Sequence, residues 1–155
     1  MYTVAQEQRA LAALMDFEHA LLEEERDLRT TLHLGTNDVT VLRLVVDAEA
    51  DDHRLTPGEV ARTLGTSSAA TTAIVDRLEA AGLLERTPHP TDRRSVVLSP
   101  TMAEDSPARA ALTASRRRRE AMVEMLSPAE REAMAAALSQ LADSLAGRRS
   151  DALSD

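Results

Sequence analysis

The side chains of this sequence best suited to recognition chemistry are hydroxyls and guanidinia, gathered in the stretch Leu55 to Pro100. Ser67, Ser68, Thr71 and Thr72 crowd the start of one predicted helix. Arg93 and Arg94 follow Asp92 in a turn-rich segment. A Ser or Thr hydroxyl can bond a phosphate or either kind of base edge, and a Thr methyl can touch the methyl of thymine. A guanidinium offers a planar fork that matches phosphates and base edges. Arg77 and Arg86 lie in the same stretch and divide between phosphate contact and structural ion pairing. Catalytic patterns are missing from the sequence: it has no Gly-rich phosphate loop, no nucleophile elbow and no paired His ligands. No enzyme activity and no cofactor are therefore expected. Asp51, Asp52 and His53, and the His19/Glu23 pair at i, i+4 spacing, have ligand chemistry without a full ligand set, so no metal is expected either.

Composition narrows the fold. The 155 residues suit one domain, and 43% of them are hydrophobic. Tyr2 and Phe17 are the only aromatic residues, so the core must be built from Leu, Val, Met and Ala. Leu and Ala favour helix. The absence of Cys excludes disulfides, thiolate zinc sites and thiol redox sensing. No apolar stretch reaches bilayer length, and Met1 to Ala10 lacks a signal-peptide layout, which points to a cytoplasmic chain with no membrane contact. The net charge of −8 argues at first against nucleic acid. From Leu55 to Pro100, however, Arg62, Arg77, Arg86, Arg93 and Arg94 balance Glu59, Asp76, Glu79, Glu85 and Asp92. The acidic excess therefore lies outside that segment.

The elements that must position these groups follow from periodicity and punctuation. Leu11, Met15, Leu21, Leu22, Leu28 and Leu32 give an apolar stripe on a helix from Val4 to Leu32, with Gly35 as its C-cap. A second, very apolar helix is predicted from Asp38 to Ala50. Thr56-Pro57-Gly58-Glu59 reads as a capping box with Pro at the first helical position, opening a short helix to Leu64 that Gly65 stops. Ser67 and Ser68 open the next helix, which runs to Ala81. Its inward face is expected to carry Ala70, Ile74, Leu78 and Ala81, leaving Ser68, Ala69, Thr72 and Asp76 outward. Leu83 to Thr87 and Arg93 to Ser99 form a hairpin across Pro88-His89-Pro90-Thr91-Asp92. A helix from Pro107 to Leu126 and another restarting at Ser127-Pro128 follow. The last carries Met134, Leu138, Leu141 and Leu145 as a narrow a/d seam, then an irregular tail from Arg148.

Helix, Gly turn, helix and hairpin make a winged helix-turn-helix. The small outward residues let the second helix enter a major groove about 12 Å wide. Arg86, Arg93 and Arg94 stand on the hairpin, where a guanidinium can enter a minor groove. Asp92 is expected to pair with Arg93 or Arg94 and aim the fork. The four residues Arg116 to Arg119 point around a whole helix, so pairing with the acidic first helix of a second chain fits them better than a DNA stripe.

The segment LTPGEVARTLGTSSAATTAIVDRLEAAGLLERTPHPTDRRSVVLSP resembles the multiple-antibiotic-resistance-regulator (MarR) family. VDRLEAAGLLER, from Val75, resembles the end of the family's recognition helix and its first wing strand. TDRRSVVLSP resembles the wing signature, with Asp92, Arg94, Leu98 and Ser99 in the matching places. The resemblance implies a mainly α single domain, 1–155, with a winged lobe at 36–100 and dimerisation helices at 1–34 and 107–147. It implies a homodimer on a pseudo-palindromic operator in double-stranded DNA, most often as a repressor. Ser67, Ser68, Thr71 and Thr72 match DNA-contacting positions, Arg94 would reach the minor groove and Asp92 would brace it. A small aromatic or phenolic effector is implied near Phe17, His19, His33 and Arg43. Two departures stand out: His89 where an acidic residue is frequent, and Ala73 where Arg is common. A winged module that binds protein instead of DNA, and a small helical metal-dependent sensor, are the competing readings.

Overall fold

The computed structural model describes residues 3–92 and 94–152, with side chains through 145. Two compact units divide the chain, the first ending at Arg116 and the second beginning at Arg117. In order come α1 (Val4–Leu32), α2 (Thr36–Ala50), α3 (Pro57–Leu64), α4 (Ser68–Ala80), β1 (Leu84–Pro88), β2 (Val96–Pro100), α5 (Pro107–Glu124) and α6 (Pro128–Ala152). A mainly helical fold with a two-stranded antiparallel wing is thus what the sequence builds.

The core of the first unit forms around α2. Val41, Leu42, Val45 and Val46 are buried there, against Leu55, Val60 of α3, Ile74, Val75 and Leu78 of α4, Leu84 and Leu98 of the wing and Leu112 of α5. Each such side chain contributes about 1.5–3 kcal/mol on burial, so α2 is the helix against which the lobe condenses. The wing register pairs Leu84 with Pro100 and Arg86 with Leu98. On its other edge β2 is tied to the lobe, because the Leu98 N–H donates to the Leu55 carbonyl at 2.8 Å.

Local chemistry sets the boundaries. Gly65 ends α3 in the left-handed conformation, φ 62°, and Gly82 turns the chain from α4 into the wing at φ 69°. At the end of α1 the left-handed cap is His33, φ 54°, not Gly35. Gly35 instead is the N-cap of α2, which starts at Thr36, two residues earlier than periodicity suggests. Strand β2 starts at Val96 instead of Arg93, since the chain before it is held in a hydrogen-bonded turn. The buried face of α4 carries Thr71, Ile74, Val75 and Leu78. Ala70 and Ala81, expected inward, are exposed. The apolar pattern was compatible with either phase, and the larger Val75 takes the interior.

Arg116 also differs from expectation. It bonds Asp51 at 2.6 Å and the Asp47 carbonyl at 2.9 Å, both on α2 of its own chain. Nearby, Arg109 pairs with Glu49. These contacts fasten the start of α5 to the C-terminal half of α2. In the second unit, Ser127 and Glu130 form a reciprocal cap at the start of α6. Arg131 donates to the carbonyls of Val123 and Glu124, satisfying the end of α5. Helix α6 continues past Arg148 to Ala152, and Leu153 to Asp155 of the expected tail lie outside the described residues. On α6, Leu138, Leu141 and Leu145 are exposed, as are Leu11, Met15, Phe17 and Leu22 on α1.

The cap of α3 is the expected box with an added partner. The Thr56 N–H and hydroxyl both donate to Glu59 Oε2 at 2.8 Å, and His53 Nε2 lies 2.9 Å from Glu59 Oε1. Burial pushes the Glu59 carboxyl up, but the Thr56 bonds and His53 outweigh it and leave it below the ordinary glutamate value. A carboxylate whose folded pKa is depressed stabilises the fold above its unfolded pKa and loses that contribution as pH falls through the folded value. Glu59→Ala should cost roughly 1 kcal/mol at pH 7, in line with other N-terminal caps. In urea unfolding, the gap between parent and variant should narrow once pH falls below about 4. A gap unchanged down to pH 2.5 would show that the carboxylate charge plays no part.

Candidate nucleic-acid interface

Three short-range devices present α4. Thr66 and Thr71 share a hydroxyl–hydroxyl bond of 3.0 Å, Ser67 Oγ accepts the Ala70 N–H at 3.2 Å, and Gly65 reverses the chain just before them. With Thr71, Ile74, Val75 and Leu78 turned inward, the exposed surface is Ser67, Ser68, Ala69, Thr72, Ala73 and Asp76. Thr71 was expected to reach DNA; at 1% exposure with its hydroxyl bonded to Thr66, it is a core residue. Ser67 is exposed, but one lone pair is committed to the helix cap. Ser68 and Thr72 carry the outward hydroxyls of the first turns.

Arg77 and Arg86 turn out to be pinned. Arg77 bonds Asp38, a buried carboxylate in the first turn of α2. That bond raises the Arg77 pKa above the ordinary arginine value. Arg77 joins α4 to the N-terminus of α2 while its side chain stays 57% exposed. Arg86 is more fully occupied. Its guanidinium meets Asp76 at 2.6 Å and also bonds Glu79, and its backbone N–H donates to Glu79 Oε1 at 3.1 Å. Burial works against its charge, yet the two carboxylates win and raise its pKa. The expectation of a DNA contact at Arg86 is corrected on this point: the side chain is a brace between α4 and β1. Glu79 was missed in the sequence as the partner of that brace. The clue was its seven-residue separation from Arg86 across Gly82, a distance that a helix-to-strand turn brings together.

The wing tip carries the remaining groups. Arg94 is exposed, and its N–H donates to Asp92 Oδ1 at 3.0 Å. Asp92 thus holds the Arg94 main chain by this bond, while its expected alternative partner, the Arg93 guanidinium, belongs to a residue outside the described ones. His89, also missed as a structural group, accepts the N–H groups of Thr91 and Asp92 at Nδ1.

The residues expected near an effector are not brought together. Arg43 lines a groove of about 460 Å³ with Glu18, Leu21, Leu22 and Glu25. Phe17, His19 and His33 are exposed and do not line it. His19 sits 3.3 Å from Glu23 on the surface of α1. Among the described residues no group of three or more His, Cys, Asp or Glu is arranged to hold a metal ion. No described helix is long and apolar enough to cross a membrane.

Comparison with known proteins agrees with this geometry. Residues 34–95 match the sequence model of the MarR family. A Bacillus subtilis protein described as an uncharacterized HTH-type transcriptional regulator, YcgE, is 47% identical over 49 residues, a span of 32% of this chain and 32% of that relative. The structure of Streptococcus pneumoniae FabT in complex with DNA aligns at TM-score 0.61 and 26% identity, covering 91% of this chain and 98% of that one. RV1404 from Mycobacterium tuberculosis aligns at 0.54 and 25%, covering 92% and 94%. The fold is shared with Tm0710 from Thermotoga maritima, at 0.54 and 22% over 92% and 98%. The motif, the wing and the helix order thus make residues 34–95 similar to the winged helix-turn-helix lobe of the MarR family.

Proposed function

We propose that this protein is a sequence-specific DNA-binding transcriptional regulator, a ligand-responsive repressor acting as a homodimer on a pseudo-palindromic operator. The observation that carries the reading is the exposed small-and-hydroxyl face at the start of α4, with Ser68 and Thr72 outward and the bulky apolar residues Ile74, Val75 and Leu78 inward. A helix so lined can lie deep in a major groove, its positive N-terminal end beside a phosphate. Arg94, exposed on the wing and braced by Asp92, suits the adjacent minor groove. The DNA complex of FabT, similar over nearly the whole chain, supports the same mode of use. Ser67, Ser68 and Thr72 are the contact residues of the helix, Arg94 and Arg93 those of the wing. Arg77 can add a phosphate contact from its exposed side.

The exposed apolar residues of α1 and α6 support a homodimer, since such stripes gain from burial against a second chain. Two recognition helices would then meet major grooves roughly 34–36 Å apart, and an effector that favours another spacing would weaken binding. Arg43 is the anchor for an anionic aromatic effector in the α1–α2 groove, although Glu18 and Glu25 oppose it there. The acidic net charge of −8 favours one rival, a winged module that binds protein alone.

Selection of bound duplexes from a random pool gives the probe for the decisive measurements. Affinity for a selected duplex should fall steeply with salt, as phosphate contacts release counterions, and Arg94→Ala should weaken it by about tenfold or more. No enrichment of any duplex would support the protein-binding module. Thr72→Ala should shift the base preference at one position of the site, costing about 1–3 kcal/mol there. Thr71→Val, changing a buried hydroxyl, should instead alter thermal stability and leave DNA affinity unchanged; the reverse result would mean that α4 is rotated from the arrangement described. Leu141→Glu should yield monomers in sedimentation analysis if the α6 seam joins two chains, and an unaltered dimer would assign the seam another role.

A further inference from the structure

Two arginines tie α4 to the rest of the lobe, on opposite sides of its exposed arc. Counted at about 100° per residue, that arc runs from Ser68 through Thr72 and Ala73 to Arg77, and Ile74, Val75 and Leu78 close the circle inside. Asp76 and Glu79 meet Arg86 of the wing. Arg77 lies about 160° round the helix from Glu79 and turns the other way, to α2.

Its partner there is no ordinary surface acid. Asp38 is only 6% exposed. A buried carboxylate has to be paired, and a place in the first turn of α2 favours its negative charge. Gly35, the N-cap of α2, has no side chain to cover it; a Cβ there would stand 3.4 Å from Asp38 Oδ2. Oδ1 accepts from Arg77 Nη2 at 2.5 Å. A guanidinium has five N–H donors, and this bond uses one of its nitrogens. More than half of the Arg77 side chain remains exposed. The buried acid thus holds one edge of the fork and leaves another side of it open.

We infer that Asp38 is a positioning residue for DNA binding: it holds Arg77 at the edge of the α4 surface away from the wing, oriented to meet a phosphate of the duplex. The inference rests on the function proposed above and gives a buried acid of α2 a part in it. A mobile arginine gives up the freedom of a long side chain when it binds phosphate, and here that loss is taken on folding. Removing a negative charge near DNA strengthens binding by itself. Releasing a positioned guanidinium weakens it. The two effects have opposite signs, so substitution of Asp38 separates them.

The full chain and its variants are titrated with a duplex selected from a random pool. Asp38→Ala should bind about fivefold more weakly than the parent, and Asp38→Asn, which keeps an acceptor of the same shape, should recover part of that loss. Arg77→Ala should weaken binding at least as much and lower the salt slope by about one per protomer. Adding Asp38→Ala to Arg77→Ala should cost nothing more. The Asp38→Ala loss should be equal on the selected duplex and on duplexes with single base changes, because phosphates carry no sequence information. A gain of affinity in Asp38→Ala, a further loss without Arg77, or an altered base preference overturns the inference, the last two by showing that Asp38 acts on the placement of α4.

A second measurement needs neither DNA nor an Asp38 variant. In the ¹⁵N-labelled parent, the guanidinium signals of Arg77, assigned by their loss in Arg77→Lys, should show slow rotation in the free protein. A freely rotating guanidinium there overturns the inference whatever the Asp38 variants do. If no duplex is enriched, the proposed function fails and the phosphate contact with it, while the rotation of Arg77 still decides whether Asp38 orders its guanidinium.

Discussion

The guanidinium of Arg86 meets Asp76 and Glu79 on successive turns of α4, while its backbone N–H donates to the same Glu79. Strand β1 is thereby joined to the helix by side chain and main chain at once. An exposed pair such as that with Asp76 is worth at most about 1 kcal/mol alone. The contact gains from being shared: Glu79 satisfies an edge N–H that the sheet leaves open and a cation that is only 24% exposed. Helix and wing are the two parts proposed to meet DNA together, and this residue joins them alongside the packing of Leu84 and Leu98 on α4. The same contact offsets acidic charge on α4 that would otherwise face a phosphate backbone.

That arrangement explains how a chain of net charge −8 can carry a nucleic-acid lobe. Cations are spent inside the molecule on Arg77–Asp38, Arg109–Glu49, Arg116–Asp51 and Arg86 with its two acids. The segment Leu55 to Pro100 itself is neutral, and the acidic excess lies outside it. Long-range attraction to DNA is then weak, and discrimination has to come from close fit of the α4 face and the wing. Ala69 and Ala73 fit that demand, since small side chains allow close approach without adding charge.

Much of this was legible in the sequence because the decisive signals are local. The capping box at Thr56, the stop at Gly65, the cap at Ser67 and the turn at Gly82 each depend on a few neighbouring residues, and all four sit where their types required. The order of helices and the hairpin followed from them. What escaped was what depends on phase or on distant partners. Thr71 reads as a hydroxyl among hydroxyls until the packing of Val75 fixes the rotation of α4. Arg86 looks like any wing arginine until the turn at Gly82 folds Glu79 back on it. Arg116 stands in a run of four like residues, and nothing in the run says which one faces Asp51. His33 took the left-handed cap from Gly35 because Gly35 was needed one step later, as the N-cap of α2.

The wing tip obeys a different balance from the lobe that carries it. Val97 and Leu98 anchor the base of β2 in apolar surroundings, and beyond Val96 the described turn has no buried side chain. Its order comes from hydrogen bonds among His89, Thr91, Asp92, Arg94 and Ser95, each contributing about 0.5–1.5 kcal/mol net. Such a segment can open without disturbing the core, and opening it costs far less than unfolding the domain. Under the proposed function, binding through Arg94 meets whatever ordering cost the tip has not already met. The acceptor at position 89 and the carboxylate at position 92 lower that cost in advance. Substitutions there can tune affinity for DNA while the fold remains as stable as before, which separates the evolution of binding strength from the evolution of the scaffold.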